Sequence, residues 1–289
     1  MEYYPILFAP IHKQLIWGTE SWDISCRPGE MSIIENGVHK GLTFAQYIEQ
    51  DKASVLGTRL ALCEKFPLLI KIIEANQALS VQVHPTDEYA MQTGQHDSGK
   101  SELWYIMTPP TDGHLIVGLK PGVTKQMLRN ACENGTVEDC LNRLRVKEGD
   151  IVNIPAGLIH ALTPGVKVAE IQQNSDLTYR LYDYNRVDAQ GQPRPLHIED
   201  ALAVTNFGAE KRIHHFAVEK YILKDTVTET QSPDVFSIFT CVKGSAAIKS
   251  HHHETILPTG RSAFIPAQMG EYVISGQATL LKSFVPGVF

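Results

Sequence analysis

Four residues of types that bind metal ions lie in three short apolar segments of the chain. Gln82 and His84 belong to LSVQVHP, Glu102 to GKSELWYI and His160 to GDIVNIPAGLIH. Together they offer two imidazoles, one carboxylate and one amide oxygen, a mixed nitrogen and oxygen set that suits zinc or another first-row divalent ion. The set leaves a coordination position open for substrate or water.

The alternation of side chains along the first two segments places these residues on common faces. In LSVQVHP, Ser80, Gln82 and His84 fall on one side, and Leu79, Val81 and Val83 fall on the other. In GKSELWYI, Glu102 shares a side with Lys100. A solvent-exposed sheet face would also explain a polar stripe on one strand. A buried carboxylate without a partner is costly, however, and metal ligation would offset that cost.

The segment GDIVNIPAGLIH predicts a rigid corner that presents His160. An apolar strand, IVNI, is followed by a tight turn at Pro155 and Gly157, because proline fixes its backbone angle and glycine adopts angles that other residues resist. Metal binding requires imidazole nitrogens held to within a few tenths of an ångström, which such a corner allows. The spacing of Gly149, Pro155, Gly157 and His160 resembles the second motif of the cupin superfamily.

Two sets of polar and aromatic side chains recur at every second residue downstream of this turn. The first set is Glu170, Gln172 and Asn174, and the second is Arg180, Tyr182, Tyr184 and Arg186. This density is unusual for a core strand and is typical of a strand that lines a pocket. An exposed sheet face is the alternative interpretation.

Helical spacing interrupts the β pattern twice before GDIVNIPAGLIH. Residues 41–51 predict a helix in which Thr43 and Gln46 form a capping box. Between about residues 122 and 147, TKQMLRNA and TVEDCLNRL have helical spacing, and Thr136 marks the start of a second helix. We expect a short helical insertion between strands here, and not a separate domain.

The C-terminal block is β-rich and repeats the corner without its ligands. In GRSAFIPAQMGE, Gly260 and Pro266 repeat the spacing of Gly149 and Pro155, but Glu271 falls where His160 stood. We therefore expect a second barrel half that has lost metal binding.

Length, charge and cysteine usage exclude several classes of protein. A chain of 289 residues with 43% hydrophobic residues is long enough for about two globular domains. The net charge of −6 and the scattered basic residues argue against a nucleic-acid partner. No signal peptide and no apolar run of roughly 20 residues is present, so we expect no membrane partner. Five cysteines without a CxxC pair fit a cytoplasmic location.

Four stretches together resemble type I mannose-6-phosphate isomerase in its short form, within the cupin superfamily. They are LSVQVHP, GKSELWYI, GDIVNIPAGLIHAL and QNSDLTYRLYDYNRVDAQGQPRPLH. The resemblance implies a mainly β protein with two cupin-like, jelly-roll β-barrel domains. The metal-binding catalytic domain would span residues 1–207, with the helical insertion at about 122–147, and a degenerate cupin-like domain would span 208–289.

The resemblance also implies a role for each residue of the site. The family's metal ligands fall on the four residues derived above, which would hold one Zn²⁺ ion or another divalent first-row metal. These are Gln82, His84, Glu102 and His160. The arginine regarded as catalytic falls on Arg180, while Ser80, Lys100 and Glu170 lie where the family lines its active site. Arg186 stands where some members have lysine, and it is a candidate phosphate contact together with Lys100 and Arg180.

The implied reaction interconverts mannose 6-phosphate and fructose 6-phosphate. A proton moves between C1 and C2 of the opened sugar through a cis-enediol, and negative charge develops on the two oxygens. A divalent metal stabilises such oxyanions as a Lewis acid, and Arg180 adds hydrogen-bond donors. Glu170 and Lys100 are both candidates for the group that shuttles the proton, provided that burial or a neighbour moves the pKa toward neutrality.

Three other functions fit parts of the pattern. Two histidines and a carboxylate also bind iron in oxygenases, although Gln82, Lys100 and Arg180 favour an anionic, oxygen-rich substrate. A sugar-phosphate-binding protein could keep the pocket without turnover. An isomerase of the same chemistry could act on another aldose 6-phosphate, such as glucose 6-phosphate. The sequence predicts no oligomeric state.

Overall fold

The computed structural model describes residues 2–187, 190–208, 215–251 and 253–286. The strands in chain order are β1 Ile6–Ala9, β2 Ile11–Leu15, β3 Gly18–Ile24, β4 Cys26–Arg27, β5 Glu30–Met31, β6 Ile33–Ile34, β7 Leu68–Ala75, β8 Val81–Val83, β9 Glu102–Thr108, β10 His114–Leu119, β11 Leu141–Arg145, β12 Ile151–Ile154, β13 His160–Ala161, β14 Lys167–Gln173, β15 Tyr179–Tyr182, β16 Ala217–Leu223, β17 Val227–Thr230, β18 Ser237–Lys249, β19 Glu254–Pro258, β20 Ser262–Ile265 and β21 Glu271–Phe284. The helices are α1 Phe44–Gln50, α2 Lys52–Leu56, α3 Asp87–Gln92, α4 Lys125–Asn134 and α5 Ile198–Val204, with 3₁₀ turns at Thr58–Leu60, Val137–Cys140 and Ala267–Met269.

The predicted mainly β fold is confirmed by these elements. Strands hold most of the regular structure, and the longest helix, α4, has 10 residues. Among the described residues, none of the helices combines the length and the apolar character needed to cross a membrane.

Contacts between residues divide the chain into two compact units. The first unit comprises Met1–His12, Ser21–Ile72 and His214–Phe289, and the second comprises Lys13–Glu20 and Ile73–Ile213. N-terminal residues thus belong to the same unit as the C-terminal block. This division differs from the domain boundary at residue 207 that was expected from the sequence. The reason is strand pairing, because β1 pairs with β20 in the register Ile6↔Phe264.

The first unit is built on one antiparallel sheet. Within the described residues the order of its strands is β16, β21, β18, β20, β1 and β6, with β17 paired to β21 and β19 paired to β18. β18 and β21 have 13 and 14 residues and carry the core residues Phe239, Tyr272 and Leu280. The unit therefore has a hydrophobic core of its own.

Helix α1 of the first unit forms as the sequence predicts. The Thr43 side chain accepts from the Gln46 backbone N–H at 3.2 Å, and the Gln46 side chain accepts from the Thr43 backbone N–H at 3.0 Å. Phe44, Tyr47 and Ile48 are buried on one face of the helix. The capping box and the apolar face are both confirmed.

Two sheets enclose the interior of the second unit. One sheet has the order β11, β10, β13, β8 and β15, and the other contains β12, β9 and β14, followed by β7, β3 and β2. Trp104 and Ile106 of β9 join Leu115 and Val117 of β10 in one apolar cluster, which therefore lies between the sheets. The neighbouring Ile116 of β10 packs on the opposite, outer face of the five-stranded sheet.

Helices cover the outer face of the five-stranded sheet. Ile116 and Val83 from this sheet pack with Leu128 of α4, Val137 of the following 3₁₀ turn and Leu202 of α5. The predicted helical insertion at 122–147 therefore supplies part of the layer on which β8 rests.

The second helix of that insertion was predicted wrongly. Residues Val137–Cys140 form a short 3₁₀ turn, and Leu141–Arg145 is strand β11. β11 pairs with β10 in the register Ile116↔Arg143. Pairing with a sheet edge satisfies the backbone groups of LNRLR, which outweighs the modest helical preference of these residues.

Candidate metal and active site

Strands β8, β9 and β13 bring the metal-binding candidates to the interior of the second unit. β13 pairs with β8 so that His160 lies opposite Gln82, and Glu102 begins β9. Val81 and Val83 pack in the outer cluster with the helices, which leaves Gln82 on the inner face. The alternation expected along this segment is present from Val81 to Val83, but Leu79, expected on the side of the valines, precedes the strand and packs in the cluster between the sheets.

Three candidate ligand atoms lie close together at this point. His84 Nε2 is 3.1 Å from Glu102 Oε1, and His160 Nε2 is 3.7 Å from Glu102 Oε2. One ligand atom from each of the three residues lies within 4.8 Å of the others, and all three residues are buried. Ligand atoms bound tetrahedrally to zinc are separated by roughly 3.4 Å, so one ion can be reached by all three.

Backbone carbonyls fix both imidazole rings with Nε2 directed at Glu102. His84 Nδ1 is 2.9 Å from the Leu177 carbonyl oxygen, and His160 Nδ1 is 2.8 Å from the Leu158 carbonyl oxygen. A carbonyl only accepts, so each Nδ1 carries the proton and each Nε2 keeps its lone pair. This tautomer is the one that a metal-binding histidine needs.

The turn before β13 holds His160 relative to His84. Gly157 has a φ of 88°, a left-handed conformation that glycine adopts without strain. Its N–H donates to the His84 carbonyl oxygen at 2.8 Å. The Leu158 N–H donates to the Pro155 carbonyl oxygen at 3.1 Å, which closes the predicted tight turn.

The protonation states of the cluster suit a cation. Burial, reinforced by the Lys100 cation, lowers the pKa of His84 to about 3. Burial likewise lowers the pKa of His160. Burial alone would raise the pKa of Glu102, but the Lys100 cation holds it well below its usual range. Two neutral imidazoles and one carboxylate are the forms that bind a metal ion.

Unsatisfied buried atoms indicate that the cluster fits a divalent ion. Within the described part of the chain, His84 Nε2 and Glu102 Oε2 have no hydrogen-bond partner. Such atoms are costly to bury, and a bound cation would satisfy both. The Gln82 amide lies beside them, with Nε2 at 3.4 Å from His160 Nε2. A half-turn of this amide would present its oxygen instead.

Lys100 and Glu170 flank the cluster. Lys100 Nζ forms an ion pair with Glu102 Oε1 at 2.6 Å. Burial would lower the pKa of Lys100, but the Glu102 and Glu170 carboxylates outweigh it and raise the pKa above its usual value. Glu170 Oε1 accepts a hydrogen bond from Trp104 Nε1 at 2.9 Å, and the Trp104 ring meets the His160 ring edge-on.

Arg180 and Ser80 lie beside Gln82. Arg180 is opposite Gln82 in the pairing of β15 with β8, so the two side chains share a face. Burial, with help from Arg194, lowers the pKa of Arg180. Its Nη1 donates to the Pro195 carbonyl oxygen at 2.9 Å. Ser80 is buried, and its hydroxyl donates to Gln82 Oε1 at 3.4 Å.

The alternating set predicted from Arg180 to Arg186 ends early. β15 stops at Tyr182, and Tyr184 and Asn185 adopt left-handed φ values of 55° and 53°. This turn reverses the chain, and Arg186 pairs with the buried Asp183. The prediction of one continuous face was therefore wrong beyond Tyr182, because alternation requires extended backbone.

The sequence analysis did not single out two charged residues of this region, Asp183 and Arg194. Asp183 accepts hydrogen bonds from Arg194 Nη2 at 2.5 Å and from Arg194 Nε at 2.7 Å. Strand alternation assigned Asp183 to the side opposite Arg180, and Arg194 lay beyond the last recognised strand. The available signal was an acidic residue followed by two arginines, at spacings of 3 and 11 residues.

Two family models match the chain. The phosphomannose isomerase type I catalytic domain matches residues 12–113, and the mannose-6-phosphate isomerase cupin domain matches residues 207–285. Mannose-6-phosphate isomerase ManA of Bacillus subtilis (strain 168) is 32% identical over 314 aligned residues, which cover 96% of this chain and 98% of the relative.

Solved structures of mannose 6-phosphate isomerases are similar to this chain. The crystal structure of the mannose 6-phosphate isomerase from Bacillus subtilis has a TM-score of 0.87 and 31% identity, covering 96% of this chain and 99% of the other. A putative mannosephosphate isomerase from Archaeoglobus fulgidus shares the fold, with a TM-score of 0.82 and 20% identity over 99% of each chain.

Proposed function

The chain belongs to the type I mannose-6-phosphate isomerase family, and on this premise we propose that its buried site interconverts mannose 6-phosphate and fructose 6-phosphate. The observation that carries the proposal is the cluster of His84, Glu102 and His160, with ligand atoms within 4.8 Å of one another. Both histidine tautomers are set for metal binding, and an arginine lies on the same face.

One zinc ion is the cofactor that this donor set fits best. Gln82, His84, Glu102 and His160 supply two nitrogens and two oxygens, a combination that zinc and other first-row divalent ions accept. When bound, the ion supplies Lewis-acid stabilisation of negative charge on the sugar oxygens. Gln82 and the two histidines are neutral, so Glu102 and Lys100 set the local charge balance.

Arg180 is the residue that stabilises the enediol oxygens. Its guanidinium shares a face with Gln82 and stays charged even where burial lowers its pKa. Donors that are already oriented stabilise charge which develops only in the transition state. The hydrogen bond from Arg180 Nη1 to the Pro195 carbonyl oxygen limits the motion of this side chain.

Glu170 is the better of the two candidates for the proton shuttle between C1 and C2. The Glu102 and Glu170 carboxylates keep Lys100 protonated, so its Nζ has no lone pair with which to accept a proton. Glu170 is buried next to Trp104, which donates to one of its oxygens and orients the carboxylate. Lys100 then serves as a hydrogen-bond donor to the sugar.

The substrate is a small sugar phosphate, with Ser80, Lys100 and Arg186 as the proposed contacts to its oxygens. Ser80 and Lys100 are buried at the metal cluster, and Arg186 is the partly exposed cation nearby. Five free cysteines support a cytoplasmic location. The net charge of −6 supports the expectation that neither nucleic acid nor an anionic membrane surface is a partner.

The C-terminal domain, residues 208–289, is proposed to be a cupin-like domain without metal. Pro266 is followed by a 3₁₀ turn, Ala267–Met269, and by Gly270, whereas Pro155 is followed by a plain turn that contains Gly157. Glu271, which takes the place of His160, is exposed. An exposed carboxylate at this position does not recreate the ligand set.

Isomerisation in ²H₂O tests the proposed reaction. With mannose 6-phosphate as substrate, we expect fructose 6-phosphate that carries deuterium at C1, detected by NMR, and no consumption of oxygen. Glu170→Gln should lower the rate by about 10²- to 10⁴-fold, while Glu74→Gln, at an exposed carboxylate of the same unit, should leave it unchanged. Binding of the sugar without deuterium exchange would contradict the proposal, and faster turnover of glucose 6-phosphate would reassign the substrate.

A further inference from the structure

A buried aspartate forms ion pairs with two arginines at one end of the candidate active site. Asp183 has a side chain only 4% exposed, and it pairs with Arg186 and Arg194, whose side chains are 15% and 26% exposed. Arg194 binds it through two hydrogen bonds, at 2.5 and 2.7 Å. Burial would raise the pKa of Asp183, but the two guanidinium groups lower it, so the group is a carboxylate.

The backbone turn that forms this arrangement is strained. Tyr184 and Asn185 both have left-handed φ values, 55° and 53°, which non-glycine residues seldom adopt. The turn brings the Arg186 backbone N–H to within 3.1 Å of the Asp183 carbonyl oxygen, and the Arg186 guanidinium lies 5.4 Å from the centre of the Tyr184 ring. Strain of this kind persists where the surrounding contacts require the conformation.

Hydrogen bonds place both arginines next to residues of the proposed site. Arg186 Nη1 donates to the Ala78 carbonyl oxygen at 2.5 Å, two residues before Ser80. Arg194 immediately precedes Pro195, whose carbonyl oxygen accepts from Arg180. The arginine pair is thus joined to the metal cluster through Ser80 on one side and Arg180 on the other.

The charges of this cluster do not balance. Among the described residues, Arg180, Arg186 and Arg194 carry three positive charges, and the carboxylate that acts on all three is that of Asp183. This leaves an excess of two positive charges within that group. A phosphate monoester carries a charge of about −1.5 to −2 at neutral pH. Guanidinium groups bind phosphate oxygens in pairs, with well-defined geometry.

We propose that Arg194 binds the phosphate of the substrate together with Arg186, and that Asp183 is the positioning residue that holds both guanidinium groups toward it. This inference rests on the proposed function. The hydrogen bonds from Arg194 to Asp183 use Nε and Nη2, so its Nη1 would donate to the anion, and Asp183 fixes the spacing of the two guanidinium groups without itself touching the substrate.

The test compares a phosphorylated sugar with an unphosphorylated one. Arg194→Gln and Asp183→Asn are assayed with mannose 6-phosphate and with mannose, beside the control Arg143→Gln, which breaks an exposed ion pair with Asp112 in the same unit. For Arg194→Gln we expect KM for mannose 6-phosphate to rise about 10- to 100-fold with kcat changed less than about threefold. The preference for mannose 6-phosphate over mannose, as kcat/KM, should fall at least about tenfold in both variants and stay constant in Arg143→Gln.

Calorimetric titration with inorganic phosphate separates this inference from the proposed reaction. The zinc-loaded protein should bind phosphate, and Arg194→Gln and Asp183→Asn should each raise Kd at least about tenfold. If the protein isomerises neither sugar but this dependence on Arg194 is found, the proposed reaction fails and the phosphate site stands. Unchanged phosphate binding in a folded Arg194→Gln variant, or equal losses with both sugars, would overturn the inference.

Discussion

The guanidinium of Arg180 combines features of a transition-state donor. It shares a face with Gln82, burial lowers its pKa without removing its charge, and within the described residues its Nε has no hydrogen-bond partner. A donor that is buried and unpaired is available for the substrate.

Arg180→Gln should therefore impair the chemical step more than binding. Removing one oriented donor from an oxyanion typically lowers kcat by about 10²- to 10³-fold, and we expect KM to change by less than about fivefold. Steady-state kinetics with mannose 6-phosphate measure both constants, and Arg145→Gln, an exposed arginine on β11, is the control. A rise in KM with kcat unchanged would assign Arg180 to ground-state binding.

Asp23 gives a pH dependence of stability that is independent of the metal site. This buried carboxyl of the first unit accepts a hydrogen bond from Arg261 Nε at 3.1 Å. Burial raises its pKa from 3.8 to about 6, although Arg261 and Ser262 oppose the change. The native state therefore holds the proton more tightly than the unfolded chain does.

The free energy of unfolding should fall as pH rises from about 4 to about 6 because of this group. The contribution is fully present below the unfolded pKa and is lost above the folded one, a loss of roughly 3 kcal/mol. Urea denaturation at several pH values should give a steeper decline for the wild type than for Asp23→Asn. Asp225→Asn, at an exposed site, should keep the wild-type slope, and parallel curves for the wild type and Asp23→Asn would contradict the expectation.

The sequence placed individual side chains on a common face where regular alternation applies. Ser80, Gln82 and His84 lie on or next to a strand, so spacing of two residues was enough to place them together. Asp183 and Arg194 were missed because their contacts depend on a left-handed turn at two non-glycine residues. Local pattern does not predict such a turn, since tertiary contacts enforce it.

The turn before β13 is the element on which the position of His160 depends. A methyl group added at Gly157 would lie 3.1 Å from the Val204 carbonyl oxygen, in addition to the strain of its φ of 88°. The matched position Gly122 has a φ of 83°, and a methyl group added there would have no atom of the described residues within 4 Å.

Gly157→Ala should therefore cost more than Gly122→Ala. The left-handed conformation alone costs about 1 to 2 kcal/mol in either variant, and the close approach should add about 1 kcal/mol more at Gly157. Chemical denaturation measures this difference. Competition with a chromophoric chelator should find weaker zinc binding in Gly157→Ala alone. Equal zinc affinities in the two variants would show that metal binding does not depend on the conformation of this turn.

Elements were predicted correctly where a cap or a turn residue specifies them. Thr43 and Gln46 fixed the start of α1, and Pro155 with Gly157 fixed the corner before His160. β11 was taken for a helix, because LNRLR has no strong preference and its partner β10 is distant in sequence. Long-range pairing decided its conformation.

At the scale of the whole molecule, the family membership accounts for the fold. The grouping of β1 with β20 was not predicted, since nothing local in either strand specifies a partner more than 250 residues away. The mainly β, two-part architecture was predicted, because it follows from the strand pattern and the repeated corner.

Metal binding should stabilise the protein against heat. An ion that binds the native state alone adds about 4 kcal/mol at a thousandfold excess over Kd, so calorimetry should record a transition several degrees higher with zinc than with chelator. His160→Gln should abolish the response, because it removes one of three buried ligands. A transition that responds to zinc equally in the variant would place the ion elsewhere.

The measurement that tests the central claim most directly is isomerase activity before and after metal removal. Fructose 6-phosphate formed from mannose 6-phosphate is followed through a coupled reductase, with bound metal measured on the same samples. We expect activity to disappear with chelator, to return with one zinc ion per chain, and to be absent from His160→Ala under both conditions. Full activity in metal-free protein, or no activity with any divalent ion in a folded protein, would contradict the account.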